Sequence, residues 1–244
     1  MTTSGALGPR RPAPRPVLVD LTHLVEDGMT TYPGLPGPRL GVHLSREESR
    51  TRYAPGTEFE IGRIELVANT GTYLDAPWHR YEGGTDVAGL PLAGVAALDG
   101  VVVDLSGAVP GDEGRGIGPE QLTGVDVAGR AVLLRTGWDR HWRTDRYGVD
   151  APFLTADGAA GLAAGGAVLV GIDSVNIDDM ADGARPAHTV LLAAGIPVLE
   201  HLTGLDALPP TGFALHAAPV PVRGLGTFPV RAYAVLAPDA AGPS

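Results

Sequence analysis

Glycine and proline set the strongest limit on this chain, which carries 35 glycines and 22 prolines among its 244 residues. Proline lacks a backbone donor and glycine weakens the interior of a helix or strand, so long regular elements are excluded. Short strands and short helices joined by many turns remain. The chain is also 44% apolar and 19% charged, which suits a packed core and rules out a disordered or fibrous protein. A length of 244 residues fits one large domain better than two small ones.

Short apolar runs mark the strands. Eight are expected, near residues 17–21, 58–66, 101–105, 131–135, 168–172, 197–199, 212–216 and 232–236. Several are unbroken apolar runs, the pattern of strands covered on both faces. Thr155 caps an alanine-rich helix that Gly165 ends. Pro186 opens a second helix that runs through Ala194 and stops at Gly195, and a third is expected over 119–122. The balance is strand-rich with a few helices, an α/β or α+β single domain. Residues 1–16 are rich in Pro and Arg and lack the apolar stretch of a signal peptide, so they read as a flexible arm. Residues 238–244 read as a loose tail. No run of about eighteen apolar residues exists to span a membrane. The expected location is the cytoplasm.

Composition removes much chemistry. There is no cysteine, so disulfides, thiolate metal sites and a cysteine nucleophile are excluded. All 18 basic residues are arginine, which excludes a Schiff-base lysine and a P-loop lysine. A formal charge of −10 disfavours nucleic acid as a partner. There is no G-x-S-x-G elbow for a serine hydrolase. The glycines of Gly224-Leu225-Gly226 supply only part of a dinucleotide fingerprint.

Three stretches hold the candidate chemistry. The first is Asn69-Thr70-Gly71-Thr72-Tyr73-Leu74-Asp75-Ala76-Pro77-Trp78-His79, expected on a loop after the strand near Leu66. Pro77 fixes the relative direction of Asp75 and His79, a carboxylate and an imidazole that can bind a metal or relay a proton. Alternatively, Asp75 satisfies turn amides. The second is Gly171-Ile172-Asp173-Ser174-Val175-Asn176-Ile177-Asp178-Asp179, polar residues at the end of a buried strand. The third joins His188, in the first turn of its helix, to Glu200 at the end of the following strand. The helix dipole favours a neutral His188 able to bind metal; a helix-surface role is the alternative. His201 is expected to point to the opposite face from Glu200, in a structural hydrogen bond.

Together these residues resemble the cyclase family of metal-dependent hydrolases, which includes bacterial kynurenine formamidase and isatin hydrolase. The resemblance runs over residues 17–236. It opens with Asp20-Leu21-Thr22-His23 and Gly28-Met29-Thr30-Thr31-Tyr32-Pro33-Gly34. The family's central motif reads H-x-G-T-H-x-D-x-P-x-H, and the match closes on His188 and Glu200. The implied fold is a swivelling β/β/α domain, a barrel-like mixed sheet flanked by helices, with residues 17–237 as the catalytic domain. Homodimers or homotetramers are implied, acting on a small molecule.

The first two motif histidines, which bind one metal in the family, are Asn69 and Tyr73 here. The resemblance implies that Asp75, His188 and Glu200 are metal ligands and that His79 transfers protons. An amide and a neutral phenol are poor substitutes for imidazoles on zinc. Three arrangements follow, in order of preference. One zinc or manganese sits on Asp75, His188 and Glu200; or no metal binds and the same residues do acid–base work; or Tyr73 ligates as a phenolate. Without metal, Asp75 and Glu200 at close quarters push one pKa upward.

The expected activity is hydrolysis of an amide or ester, open-chain or cyclic, in a small carbonyl compound. Tyr73 is the candidate oxyanion donor, beside His79 and Glu200 as catalytic residues. Asn69, Trp78 and Tyr32, with Phe228, are candidate substrate contacts. Arg223, with Arg231, is a candidate clamp for a carboxylate, against ordinary surface ion pairing. The alternatives are a natural-product (polyketide-like) cyclase or lactone-processing enzyme, and a non-catalytic binding protein on the same scaffold.

Overall fold

The computed structural model describes residues 16–107 and 114–236. The expected tail, and the expected arm apart from Pro16, lie outside them. In chain order the strands are β1 (Leu18–Asp20), β2 (Arg39–Leu44), β3 (Ile61–Glu65), β4 (Tyr73–Asp75), β5 (Leu98–Asp104), β6 (Gly116–Ile117) and β7 (Ala131–Arg135). They continue with β8 (Phe153–Leu154), β9 (Leu169–Ile172), β10 (Val198–Glu200), β11 (Phe213–His216), β12 (Thr227–Pro229) and β13 (Tyr233–Leu236). The α-helices are α1 (Arg46–Ser49), α2 (Ala156–Ala164) and α3 (Pro186–Ala193).

Nine strands form one sheet in the order β1-β13-β11-β5-β7-β9-β10-β4-β12. Its centre, β5, β7, β9 and β10, is parallel. Both flanks are antiparallel. A bridge joins Thr22, just past edge strand β1, to Leu202, just past β10. A flat sheet cannot bring its edge back to its middle in this way, so the sheet curls into a barrel-like half-cylinder.

Side chains alternate between two cores. Leu133, Leu169 and Leu199 point to the inside of the curl with Leu21, Leu74 and Leu215. Val132, Leu134, Val170, Ile172 and Val198 point outward against α2 and α3, meeting Leu162 and Leu191. The central strands are therefore apolar on both faces, which is why their sequences run without alternation. This is the mixed α/β, barrel-like single domain that the resemblance implies.

All eight expected strands are present, with ends shifted by up to three residues. Both principal helices are as expected; the Thr155 side chain accepts from Gly158 N at 3.1 Å, and Gly195 takes a left-handed φ of 75°. Residues 119–122 form turns, not a helix. The larger correction concerns the central motif. Its first part and Pro77–His79 are turns, but Tyr73–Asp75 between them is strand β4, held between β10 and β12. Pairing on both sides satisfies the backbone of a segment too short to declare itself by pattern. Among the described residues no helix is long and apolar enough to cross a membrane.

Candidate active site

Strand register assembles the site. On β4, Tyr73 and Asp75 share one face, and the Leu74 between them enters the inner core. Glu200 of β10 lies opposite Tyr73, and Thr227 of β12 lies opposite Asp75. These cross-strand pairs are bonded through their side chains. Tyr73 donates its hydroxyl proton to Glu200 Oε2 at 2.7 Å, and Thr227 donates to Asp75 Oδ1. Glu200 Oε1 accepts from the Ile177 amide at 2.6 Å.

α3 covers this face and delivers His188. Asp178 accepts from the amides of Ala187 (2.5 Å) and His188 (3.1 Å), which caps the helix N-terminus. The same carboxylate takes the His188 Nδ1 proton at 2.6 Å. His188 Nε2 is thereby aimed into the site, 3.5 Å from Asp75 Oδ2 and 3.6 Å from Glu200 Oε1. Both His188 Nε2 and Asp75 Oδ2 are buried and have no hydrogen-bond partner among the described residues.

His79 stands at the edge of the floor, on the turn after β4. Its Nδ1 lies 2.8 Å from Thr227 Oγ1. Since Thr227 gives its own proton to Asp75, the Nδ1–H of His79 donates to Thr227 and Nε2 is left with a free lone pair. Gly226 makes room for this contact: a Cβ there would meet the His79 backbone at 2.3–2.5 Å.

The electrostatics follow from burial and from crowded carboxylates. Burial raises the Tyr73 phenol well above its ordinary value, with the charges of Glu200 and Asp75 adding to it, so Tyr73 stays neutral. The phenolate arrangement would require loss of the proton that Tyr73 donates to Glu200. Burial pushes Glu200 up to about 7, with a further push from Asp75. Asp75 moves down, because the interactions with His188, His79 and Thr227 overcome its own burial. Burial alone would lower His188, but Glu200, Asp178 and Asp75 outweigh it and raise it to about 10. With no cation at the floor, the three carboxylates thus act more strongly on His188 than the helix dipole, whereas a metal on Nε2 requires the neutral ring that the sequence leads one to expect.

His201 departs from expectation in its direction, while the structural hydrogen bonds expected of it are present. Its left-handed backbone, φ 56°, breaks the strand alternation and turns the ring toward the same side as Glu200. There Nε2 lies 3.3 Å from the Tyr73 hydroxyl and Nδ1 lies 2.9 Å from the Tyr147 hydroxyl. Burial lowers its pKa to about 3.

Above this floor opens a cavity of about 280 Å³, lined by Tyr32, Leu35, Asn69, Tyr73, His79, Arg80, Asn176, Arg185, His188 and Glu200. Asp75, His79 and His188 each offer a ligand atom within 4.8 Å of the others.

Comparison with known proteins bears on this arrangement. The sequence profile of the Cyclase family matches residues 19–179. The chain belongs to the Cyclase family. Kynurenine formamidase of Bacillus cereus (strain ATCC 14579) is 28% identical over 215 residues, covering 88% of this chain and 95% of that protein. A solved structure titled as a predicted metal-dependent hydrolase from Bacillus stearothermophilus superposes with a TM-score of 0.70 at 26% identity, over 91% of this chain and 98% of that one. Isatin hydrolase A from Labrenzia aggregata, bound to benzyl benzoate, shares the fold with a TM-score of 0.76 at 24% identity, over 90% and 93% of the two chains. The protein is an enzyme, a hydrolase of the cyclase family.

In this cyclase-family hydrolase, seven sequence-derived candidates converge on the cavity or its floor: Tyr32, Asn69, Tyr73, Asp75, His79, His188 and Glu200. Trp78 is 41% exposed and not part of the lining, because β4 ends before it and the turn carries it outward. Arg223 is exposed, feels Asp86 and does not line the cavity. Phe228 is also outside the lining, and Arg231 forms a surface ion pair with Asp20 at 2.6 Å. The arginines of the cavity are instead Arg80 and Arg185. Sequence reasoning missed both, and gave no role to Asp178 or Thr227. Asp178 lay in a polar stretch already singled out; nothing local marked Thr227, whose role arises from strand pairing.

Proposed function

We propose that this protein hydrolyses an amide or ester bond, open-chain or cyclic, in a small carbonyl compound, with one divalent metal at the floor of the cavity. The carrying observation is that Asp75 Oδ2 and His188 Nε2 are buried, face each other at 3.5 Å and make no hydrogen bond among the described residues. Such groups are costly unless something binds them, and a nitrogen beside two carboxylates suits zinc or manganese. Asp75, His188 and Glu200 would hold the ion, which when bound polarises a carbonyl and lowers the pKa of water. The donor set argues against a second ion: Asn69 and Tyr73 replace two imidazoles, and the Tyr73 proton is committed to Glu200.

The other residues have roles of their own. His79, with Nε2 free, takes a proton from the attacking water and returns it to the leaving nitrogen or oxygen. The water oxygen bonds to the carbonyl carbon as the C–N or C–O bond breaks. Tyr73 holds Glu200 in place rather than facing an oxyanion. The names of the relatives, a kynurenine formamidase and isatin hydrolases, support amide chemistry on an aromatic substrate. A second reading, in which His79 is the third ligand, is favoured by the close grouping of Asp75, His79 and His188.

Elemental analysis of the purified protein, joined to formate release from an N-formyl aromatic amine, tests the proposal. The expected result is about one zinc or manganese per chain, lost in His188→Ala, with formate release lost in parallel. His79→Ala should keep the metal and lose turnover; loss of the metal would favour the second reading. Failure on amides with turnover of a lactone or polyketide-like substrate would move the protein to the cyclase or lactone-processing reading. Assembly into a homodimer or homotetramer is part of the proposal.

A further inference from the structure

Two arginines line the cavity beside the reacting groups, and none of the roles above uses them. Arg80 directly follows His79, and Arg185 lies just before α3, three residues ahead of His188. Tyr73, His188 and Glu200 are buried, Arg185 is half-buried and Arg80 is exposed, so the arginines stand at the mouth of the cavity above its floor.

Arg185 is held in position. Its Nη1 donates to the Asp179 carbonyl at 2.7 Å and its Nη2 to the Tyr32 hydroxyl at 3.2 Å. A guanidinium carries five N–H donors, so these bonds leave others free. Its backbone is left-handed, φ 49°, an unfavourable conformation for a residue with a side chain. Arg80 spends Nε on Thr189 Oγ1 at 3.3 Å, and among the described residues its Nη groups make no hydrogen bond. Among the described residues neither arginine forms a salt bridge, in a chain of formal charge −10.

The charge is distributed along the depth of the cavity. Asp75, Asp178 and Glu200 crowd the floor, and the two guanidiniums occupy the mouth. The floor carboxylates are engaged with His188 and with the ion proposed above, whereas the guanidiniums have no carboxylate partner among the described residues and attract an anionic group. We propose that Arg80 and Arg185 form a carboxylate-recognition site, so that the preferred substrate is a small amide or ester that also bears a carboxylate. The planar guanidinium fork matches a carboxylate in shape and charge. Held at the mouth by that group, the substrate presents its neutral carbonyl to the floor. The substrate class rests on the hydrolase reading above, whereas the anion site does not.

Two measurements keep these apart. The first is calorimetric binding of benzoate and of benzyl alcohol, neither of which is hydrolysed. Benzoate should bind at least tenfold more tightly than benzyl alcohol. Arg80→Gln and Arg185→Gln should each weaken benzoate about tenfold, as for loss of a charged hydrogen bond, and leave benzyl alcohol unchanged. Arg185→Lys should recover part of the loss. Benzoate affinity retained in the double variant would overturn the arginine site and place anion binding at the floor instead. The second is turnover of N-formylanthranilate against formanilide. A preference for the acid in kcat/KM that collapses in the two variants supports the proposal. Equal turnover of both compounds overturns it and leaves the hydrolase reading standing. Arginine-dependent benzoate binding without hydrolysis of either compound upholds the anion site and overturns the amide-hydrolysis reading.

Discussion

Tyr73 decides what the cavity floor can hold. A buried phenol that gives its proton to Glu200 is a poor metal ligand, and Asn69 offers only an amide. The double variant Asn69→His/Tyr73→His should therefore raise the bound zinc from about one to about two per chain, read by elemental analysis. A stoichiometry that stays at one would show that these residues do not set the count. Tyr73→Phe removes the donor and leaves Glu200 Oε2 buried without its partner, at a cost of about 1–3 kcal/mol in denaturant unfolding. His201 governs a pH effect. Burial lowers its folded pKa to about 3 from 6.5, so the folded protein declines a proton that the unfolded chain accepts. The stability tied to a neutral His201 is present above pH 6.5 and is lost as pH falls toward 3. Relative to His201→Asn, the natural protein should lose about 1.4 kcal/mol per pH unit below 6.5. Parallel curves for the two proteins would refute that assignment.

Elements place these residues, and a methyl group is enough to show it. In Gly226→Ala the new Cβ would fall within 2.5 Å of the His79 backbone, so either β12 or the His79 turn must move. The Ala76-to-Gly226 backbone bond of 2.7 Å and the Thr227 contact with His79 lie in that path. Activity should fall at least tenfold, and unfolding measurements should show a loss of about 1–3 kcal/mol. Thr155→Ala is the contrasting case: it removes the α2 cap, costs about 1 kcal/mol and leaves kcat/KM unchanged, since α2 contributes nothing to the cavity. The same contrast separates what the sequence disclosed from what it concealed. Ala131–Arg135 and Leu169–Ile172 read as strands because burial on both faces writes an unbroken apolar run. β4 and β12 are three residues each, flanked by glycine and proline, and exist because β4 is paired on both sides. Asp75, His79, His188 and Glu200 were recoverable from residue type and resemblance. Thr227, Arg80 and Arg185 were not, because only the register and the fold of α3 bring them to the cavity.

At the scale of the whole molecule, the nine-stranded sheet accounts for its own burial, but the β2–β3 ribbon does not. Leu40 pairs with Ile64 across the two strands, and Val42 lies two residues beyond Leu40, so all three share one face. Val42 is 58% exposed and Ile64 65% exposed, and none of the three belongs to a core cluster. A two-stranded ribbon is marginal alone in water, and a contiguous exposed apolar face marks a surface that another protein covers. A second copy of the chain is the occupant that the proposed homodimer or homotetramer supplies. Light scattering should then give a mass of two or four times the 25.1 kDa chain. Val42→Asp combined with Ile64→Asp puts two like charges on that face and should shift the protein to a monomer. Its far-ultraviolet spectrum should be retained, because both cores lie elsewhere. A natural protein that runs as a monomer would refute the proposed assembly outright. An oligomer that survives both substitutions would keep the assembly and move its interface away from the ribbon.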